Sequence, residues 1–198
     1  MLCLSGGAAH GEFISMDSEF GAGTITLDTS TGLEWLDPYQ TLHFDDAGLV
    51  CCQTFESISS NFGVGGKFEG FQFATRSQLE DLFYVSAGYL DSSSAAEVAT
   101  IFDYFGTVEE SPFFTRLSGF YDTGSEDYAG VATVFEYFGN ADVDLIDDLM
   151  RHDELNDTPH GGWLIRAPQV VAVSEPGSIL FVIVSTLLVL QSRRPLKS

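Results

Sequence analysis

Thr24-Ile25-Thr26-Leu27-Asp28, Thr29-Ser30-Thr31-Gly32 and Leu33-Glu34-Trp35-Leu36-Asp37 follow one another along the chain, and this stretch decides how the fold begins. In its first and last parts apolar residues alternate with polar residues, a period typical of half-buried β-strands. The polar segment between them ends in glycine, which favours a turn. We therefore predict a β-hairpin over residues 24–37. Trp35 is predicted to be a structural anchor of the core, because Leu33 and Leu36 flank it.

The second half of the chain has the same pattern of strand and turn. Residues 113–122 and 128–138 are rich in aromatic and β-branched side chains, and polar residues lie between the two runs. They predict a central hairpin. Residues 162–166 predict a closing strand, in which Trp163 is a second expected anchor of the core.

Helical signals lie between the two hairpins. Residues 44–62 carry apolar side chains at a spacing of three, which predicts a first helix. Thr75 and Gln78 fit a capping box, in which each side chain bonds to the backbone N–H of the other residue, and Ser94 and Glu97 have the same spacing. The predicted fold class is α+β, with two or three helices on one antiparallel sheet that is built from the two hairpins and the closing strand.

The last part of the sequence has a different character. It reads Ser174-Glu175-Pro176-Gly177, then an apolar run over residues 178–190, then Arg193 and Arg194. A helix over this run is about 20 Å long, which is short for a hydrocarbon core of about 30 Å, so a buried core helix is an alternative interpretation. The preceding Pro-Gly pair and the following arginines favour a membrane-directed segment whose basic end stays in the cytoplasm.

This order of motif, apolar run and basic end resembles the PEP-CTERM sorting signal of Gram-negative bacteria, with Ser174 where a proline is usual. The resemblance implies export, transient anchoring in the inner membrane, cleavage by an exosortase near Glu175 and Pro176, and release to the cell surface or an exopolysaccharide matrix. Residues 1–11 resemble the back half of a secretory signal peptide. We therefore expect an extracytoplasmic domain over 12–168, a linker over 169–173, and the sorting signal over 174–198 with a transmembrane segment at 178–190.

Two elements of the body also resemble exported proteins that carry this signal. They are the stretch from Asp28 to Trp35 and the element from Gly70 to Leu79, in which Gln72 and Gln78 replace the usual Arg and Glu. The body is loosely similar to the lectin-like C-terminal domain family of collagen-like bacterial adhesins. That similarity implies a glycan as ligand.

The formal net charge of the chain is −21, with 29 acidic residues against 8 Lys and Arg. Such a chain repels nucleic acid, which we exclude as a partner. It attracts divalent cations or cationic polymers, although self-repulsion that keeps an exported protein in solution explains the same charge. The hydrophobic share of 44% excludes disorder of the acidic kind.

Candidate metal ligands crowd into residues 142–160. Calcium is the one cofactor that the oxygen ligands Asp142, Asp144, Asp147 and Asp148 could hold, but the spacing of a calcium-binding loop is absent. His152 and His160, with the acids between them, could hold a transition metal, yet without the His-Glu-x-x-His pattern. We interpret this segment as a solvated acidic loop, and otherwise expect no cofactor.

No nucleophile motif is present in the sequence, so we expect a protein without enzymatic activity. The first hypothesis is a non-catalytic surface or exopolysaccharide-matrix protein whose partners are the exosortase, the export machinery and, transiently, the inner membrane. The second is a glycan-binding module that depends on calcium or acts without it. The third is an exported hydrolase that uses His152 or His160.

Overall fold

The computed structural model describes residues 12–42, 53–155 and 158–168. These residues all belong to the first of the two units into which the chain divides, Met1–Pro168 and Gln169–Ser198. The predictions for the signal-peptide remnant, the first part of the helix over 44–62, the linker and the sorting signal lie outside the described residues.

Ten strands and three α-helices make up the described part. The strands are β1 (Phe13–Ser18), β2 (Gly21–Asp28), β3 (Leu33–Leu36), β4 (Gln72–Phe73), β5 (Glu109–Ser111), β6 (Phe114–Tyr121), β7 (Tyr128–Tyr137), β8 (Asn140–Arg151), β9 (Gly161–Gly162) and β10 (Leu164–Arg166). The helices are α1 (Phe55–Ser59), α2 (Arg76–Glu80) and α3 (Ala95–Phe105), and a π-helix, Asp81–Ser86, continues α2. The class is therefore α+β, as predicted.

Two sheets are present where one was predicted. The first has the order β1-β2-β3-β10-β4, and the second has the order β5-β6-β7-β8 with β9 paired to β6. Both hairpins are confirmed, β2–β3 with Thr26 opposite Trp35 and β6–β7 with Leu117 opposite Val134. They lie in different sheets because the predicted closing strand divides at Trp163, so that β9 extends one sheet and β10 the other.

The interpretation of residues 142–160 as a solvated loop is wrong for its first part, which belongs to β8, the longest strand. Buried Ala141 and Val143 alternate there with Asp142 and Asp144, so the segment has the two-residue period of a strand with one packed face. Asp142 and Asp144 occupy the other face. The many acidic residues of this segment obscured its two-residue period in the sequence.

The helix signals were partly right. Thr75 and Gln78 form the predicted capping box, in which the Thr75 N–H donates to Gln78 Oε1 at 2.8 Å. The predicted box at Ser94 is wrong, because the Ser94 Oγ instead accepts from the N–H groups of Leu90 and Asp91. A box that was missed opens α1, where Thr54 pairs with a serine three residues later rather than with the usual Glu or Gln.

Trp163 holds the two sheets together. Its N–H donates to the Phe120 carbonyl in the second sheet at 2.9 Å, and its carbonyl accepts from the Ala74 N–H beside β4 at 2.8 Å. Trp35 packs against it edge to face at 6.4 Å, and both tryptophans are fully buried, as expected of core anchors. A Cβ on Gly119 would lie 2.9 Å from the Trp163 ring, so this close approach requires glycine.

Among residues 12–42, 53–155 and 158–168, no helix has both the length and the apolar character that crossing a membrane requires.

Candidate functional site

The four aspartates proposed as calcium ligands lie on β8, and three of them have separate hydrogen-bond partners. Asp142 accepts from the Tyr89 hydroxyl at 3.0 Å, Asp147 accepts from Tyr121 and Arg76, and Asp148 accepts from Thr123 at 3.3 Å. The contacts of Asp142, Asp147 and Asp148 therefore lead in different directions along the edge of the second sheet.

Burial and neighbouring acidic groups shift the pKa values of two residues near this edge. Burial, and then the hydrogen bond from its hydroxyl to Asp147, raises the pKa of Tyr121. Burial, and then the neighbouring Asp142, raises the pKa of Asp144. Within the described ranges no group of three or more His, Cys, Asp or Glu side chains is placed to hold a metal ion. Calcium binding stays a prediction.

His160 and Ser118 form a buried pair that the sequence did not indicate. The His160 Nδ1 lies 2.7 Å from the Ser118 Oγ, which lies in turn 2.8 Å from the Thr133 Oγ1. Ser118 is fully buried and His160 is 7% exposed. Burial, and then the nearby Arg116, lowers the pKa of His160 to about 4, so its ring is neutral near pH 7. A serine and a neutral imidazole at this distance have the composition of a nucleophile and a base, but both side chains are buried.

His152 lies elsewhere, beside an open groove of about 360 Å³. Its ring stacks on Phe55 with centroids 4.3 Å apart, and acidic side chains such as Glu56 and Asp127 line the groove. Arg151 at the rim pairs with Asp153 at 3.2 Å. His152 thus contributes to packing at the groove wall, and the two histidines of the hydrolase hypothesis occupy separate surroundings.

A second groove, of about 150 Å³, lies at the end of the second sheet where two hairpin turns meet. We call it the aromatic groove, and it is lined by Ser111, Phe113, Thr115, Glu136, Phe138 and Gly139, among others. Phe113 is 62% exposed, Phe138 is 64% exposed, and the adjoining Tyr137 is 51% exposed. Sequence reasoning missed these residues, because the local sequence around Pro112 and Gly139 does not show whether the neighbouring aromatic side chains are exposed or buried.

One buried carboxylate joins the first hairpin to the helices. Asp28 is fully buried at the end of β2, and its oxygens accept from the hydroxyls of Ser30, Thr31 and Ser86 at 2.7 to 3.0 Å. Ser86 closes the π-helix. The Asp28 carboxylate therefore fixes the hairpin turn against that helix, which is a structural role.

No protein family model matches the chain, and no curated protein or solved structure matches it either.

Proposed function

We propose that this chain is an exported protein of a bacterial surface or exopolysaccharide matrix, released by an exosortase, with a structural or interaction role and no catalysis. The sequence order at the end of the chain carries the export part of the proposal: the Glu175-Pro176 motif, the apolar run over 178–190, and then Arg193 and Arg194. An apolar run of this length, followed by arginines, suits a transient anchor better than a permanent one.

The non-catalytic part is supported by the surroundings of the Ser118–His160 pair. A nucleophile must lie within reach of its substrate, and the base beside it must be free to accept the proton. Ser118 is enclosed between β7 and β9 and shares its hydroxyl with Thr133. The pair therefore satisfies buried polar groups in the core of the second sheet.

The export proposal is tested on the mature protein in its native cell. We expect the surface-exposed chain to end near Pro176 by mass spectrometry. A chain in which Glu175 and Pro176 are both changed to Ala should keep residues 178–190 and stay in the inner membrane. Ser192→Ala, in the same tail but outside the motif, is the matched control and should be processed normally. Surface-exposed wild-type protein with an intact apolar run would contradict the proposal.

A glycan-binding module is the second candidate, and the exposed aromatic groove favours it. Aromatic rings that stay exposed in a contiguous patch mark binding surfaces, and a sugar ring can stack its apolar face on them. Binding on a glycan array would support this candidate, and loss of binding in EDTA would identify calcium as part of it. Loss of matrix cohesion when the protein is deleted, without glycan binding, would support a purely structural role.

A further inference from the structure

The aromatic groove is built by two turns that the second sheet brings together. Phe113 comes from the turn between β5 and β6, and Phe138 comes from the turn between β7 and β8. Their ring centroids lie 5.4 Å apart, and the Phe138 N–H donates to the Phe113 carbonyl at 3.4 Å. Tyr137 packs on the edge of Phe138 at 4.5 Å. The rings support one another and leave most of their area in solvent.

Phe138 occupies a backbone conformation that suits another residue type. Its φ of 49° lies in the left-handed region, and Gly139 follows with φ of 79°. Consecutive positive φ values are typical of tight hairpin turns, where Asn, Asp and Gly are the favoured residues and a bulky side chain is strained. The turn therefore gives up stability to place an aromatic ring at its tip, which indicates a role for that ring outside the fold.

Glu136 lines the groove, and Glu110 lies nearby, opposite the groove residue Thr115 on the neighbouring strand. In the strand register Glu110 is opposite Thr115, and Thr115 is opposite Glu136, so all three side chains leave the same face of the sheet. With about 5 Å between cross-strand neighbours, the two glutamates stand roughly 10 Å apart on either side of Thr115. That spacing is too wide for both to ligate one small metal ion.

Neither glutamate forms an ion pair within the described part of the chain. Arg116, the nearest arginine along the strand, points to the opposite face and pairs with Glu109 at 3.0 Å. The other arginines there form their own ion pairs with acids. The groove thus combines exposed aromatic faces with uncompensated negative charge, in a chain whose net charge is −21.

A ligand that suits this combination has an apolar flat face and a positive charge. A pyranose ring presents such a face to an aromatic ring, and an ammonium group is attracted both to carboxylates and to aromatic faces. A neutral glycan would leave the carboxylates unused, and a simple cation would leave the stacking surface unused. Polyanions are repelled.

We propose that the aromatic groove binds a glycan that carries free amino groups, with a sugar ring against Phe113 and Phe138 and an ammonium group beside Glu110 or Glu136. The proposal rests on the proposed function, because it names the glycan class that an exported matrix protein would hold. Several such grooves on many copies of the chain would cross-link a cationic polymer by multivalent contact.

The probes are a hexamer of β-1,4-linked glucosamine, the same hexamer fully N-acetylated, the corresponding glucose hexamer, and hexalysine. Binding to the purified full chain is measured by titration calorimetry at low and at high salt. We expect the glucosamine hexamer to bind about tenfold more tightly than either neutral hexamer and than hexalysine, and to weaken as salt rises. Equal binding of the free and acetylated hexamers would overturn the proposal, and tighter binding of hexalysine would assign the groove to a cationic peptide instead.

Matched variants assign the binding to this groove. Phe138→Asn removes the ring while supplying a residue that accepts a positive φ, and it should lower affinity about tenfold. Glu136→Gln should lower affinity about threefold and reduce the salt dependence. Tyr128→Asn and Glu126→Gln are the controls, since both residues are exposed at the opposite end of the same hairpin.

Control variants that lose as much affinity as the groove variants would overturn the assignment of the site. Circular dichroism checks that Phe138→Asn folds, and we expect this variant to be as stable as the wild type or more so, because the turn strain is relieved. Failure of glycan binding leaves the processing experiment at Glu175 and Pro176 unaffected, so the two proposals can fail separately.

Discussion

Asp28 is fully buried and Asp37 is partly buried, at opposite ends of the first hairpin, and the two differ in what surrounds their buried oxygens. Asp28 accepts from the Ser30 backbone N–H at 2.9 Å and from three hydroxyls, one of which belongs to Ser86 of the π-helix. Asp37 follows β3, and its Oδ1 is buried with no hydrogen-bond partner among the described residues. Burial raises the pKa of Asp37 to about 7.

The neighbouring sequence decides whether a carboxylate is tolerated in the interior. Hydroxyl residues follow Asp28 in the turn, so most of its donors are local. Asp37 precedes Pro38, whose nitrogen has no hydrogen to donate, and the Asp37 side chain makes no cap bond to the short 3-10 helix Pro38–Thr41. A buried charge with donors stabilises the fold around it, whereas a buried oxygen without them carries its full desolvation penalty.

The largest effect is expected from removing the satisfied carboxylate. Asp28→Ala leaves the Ser30 N–H and the hydroxyls of Ser30, Thr31 and Ser86 without their acceptor. We expect the free energy of unfolding to fall by about 4 kcal/mol, since each buried unsatisfied donor costs about 1–3 kcal/mol and some of them re-pair. Urea unfolding followed by fluorescence measures it, because both tryptophans are buried in the core.

A graded variant tests the reason for that loss. Ser86→Ala removes one donor and leaves the other bonds of Asp28 in place, so the expected loss is about 1 kcal/mol. If Asp28→Ala lowers the free energy of unfolding no more than Ser86→Ala does, the carboxylate does not organise the turn. Its hydrogen-bond donors would then not explain why Asp28 is tolerated in the interior.

Local signals explain which parts of the fold were predictable from the sequence. The hairpin over residues 24–37 and the capping box at Thr75 depend on residues within a few positions of one another, and both are confirmed. Ser94 shows the limit of such signals. It has the capping-box spacing, but it bonds instead to the backbone N–H groups that precede the helix.

Contacts between residues that are far apart in the sequence could not be predicted in this way. The division into two sheets depends on Trp163 meeting Phe120 and Ala74, which are far from it in sequence. The aromatic groove depends on two turns that meet only because β6 pairs with both β5 and β7. A pattern within one segment carries no information about contacts between distant segments, so the candidate site was missed although β6 and β7 were expected.

The second expected effect is a dependence of stability on pH through His160. Its ring has a partner in Ser118, but the positive charge of the nearby Arg116 disfavours its protonation. Its pKa falls from 6.5 to about 4 in the fold, so below pH 6.5 the unfolded chain takes up a proton that the folded chain does not. The stability associated with the neutral ring is present above pH 6.5 and is lost as the pH falls toward 4, by about 3 kcal/mol.

His160→Gln keeps a group that can bond to Ser118 but does not titrate. The variant should be less stable than the wild type at pH 8, because the packing changes. Between pH 6.5 and pH 4 its stability should rise slightly instead of falling, because Asp37 then titrates without the opposing effect of His160. Urea midpoints across this range measure the difference. Parallel pH profiles of the two proteins would show that His160 titrates normally in the fold.

The smallest expected effect comes from Asp37→Asn, and its sign is opposite to that of Asp28→Ala. The raised pKa of Asp37 means that its favourable contribution is complete below pH 3.8 and is lost as the pH rises through about 7. The rise from 3.8 to about 7 corresponds to about 4 kcal/mol at pH 8. Because Asp37 is only partly buried, solvent screening reduces this figure, and the uncharged amide should gain about 1–2 kcal/mol over the wild type at pH 8 and almost nothing at pH 4. Asp103→Asn on the exposed face of α3 is the matched control, since it removes the same charge from a chain of net charge −21.

Equal gains in Asp37→Asn and Asp103→Asn would mean that the relief of overall repulsion, and not the burial of Asp37, explains the effect.

Asp37 and His160 have opposite effects on stability, because acid favours the fold through Asp37 and disfavours it through His160 over nearly the same pH range. The free energy of unfolding of the wild type should therefore vary less with pH than that of either single variant. In the double variant Asp37→Asn with His160→Gln, it should again vary little with pH. A double variant that is steeper than both single variants would show that the two groups are coupled, and that the comparison of Asp37 with Asp28 cannot be made from burial and donors alone.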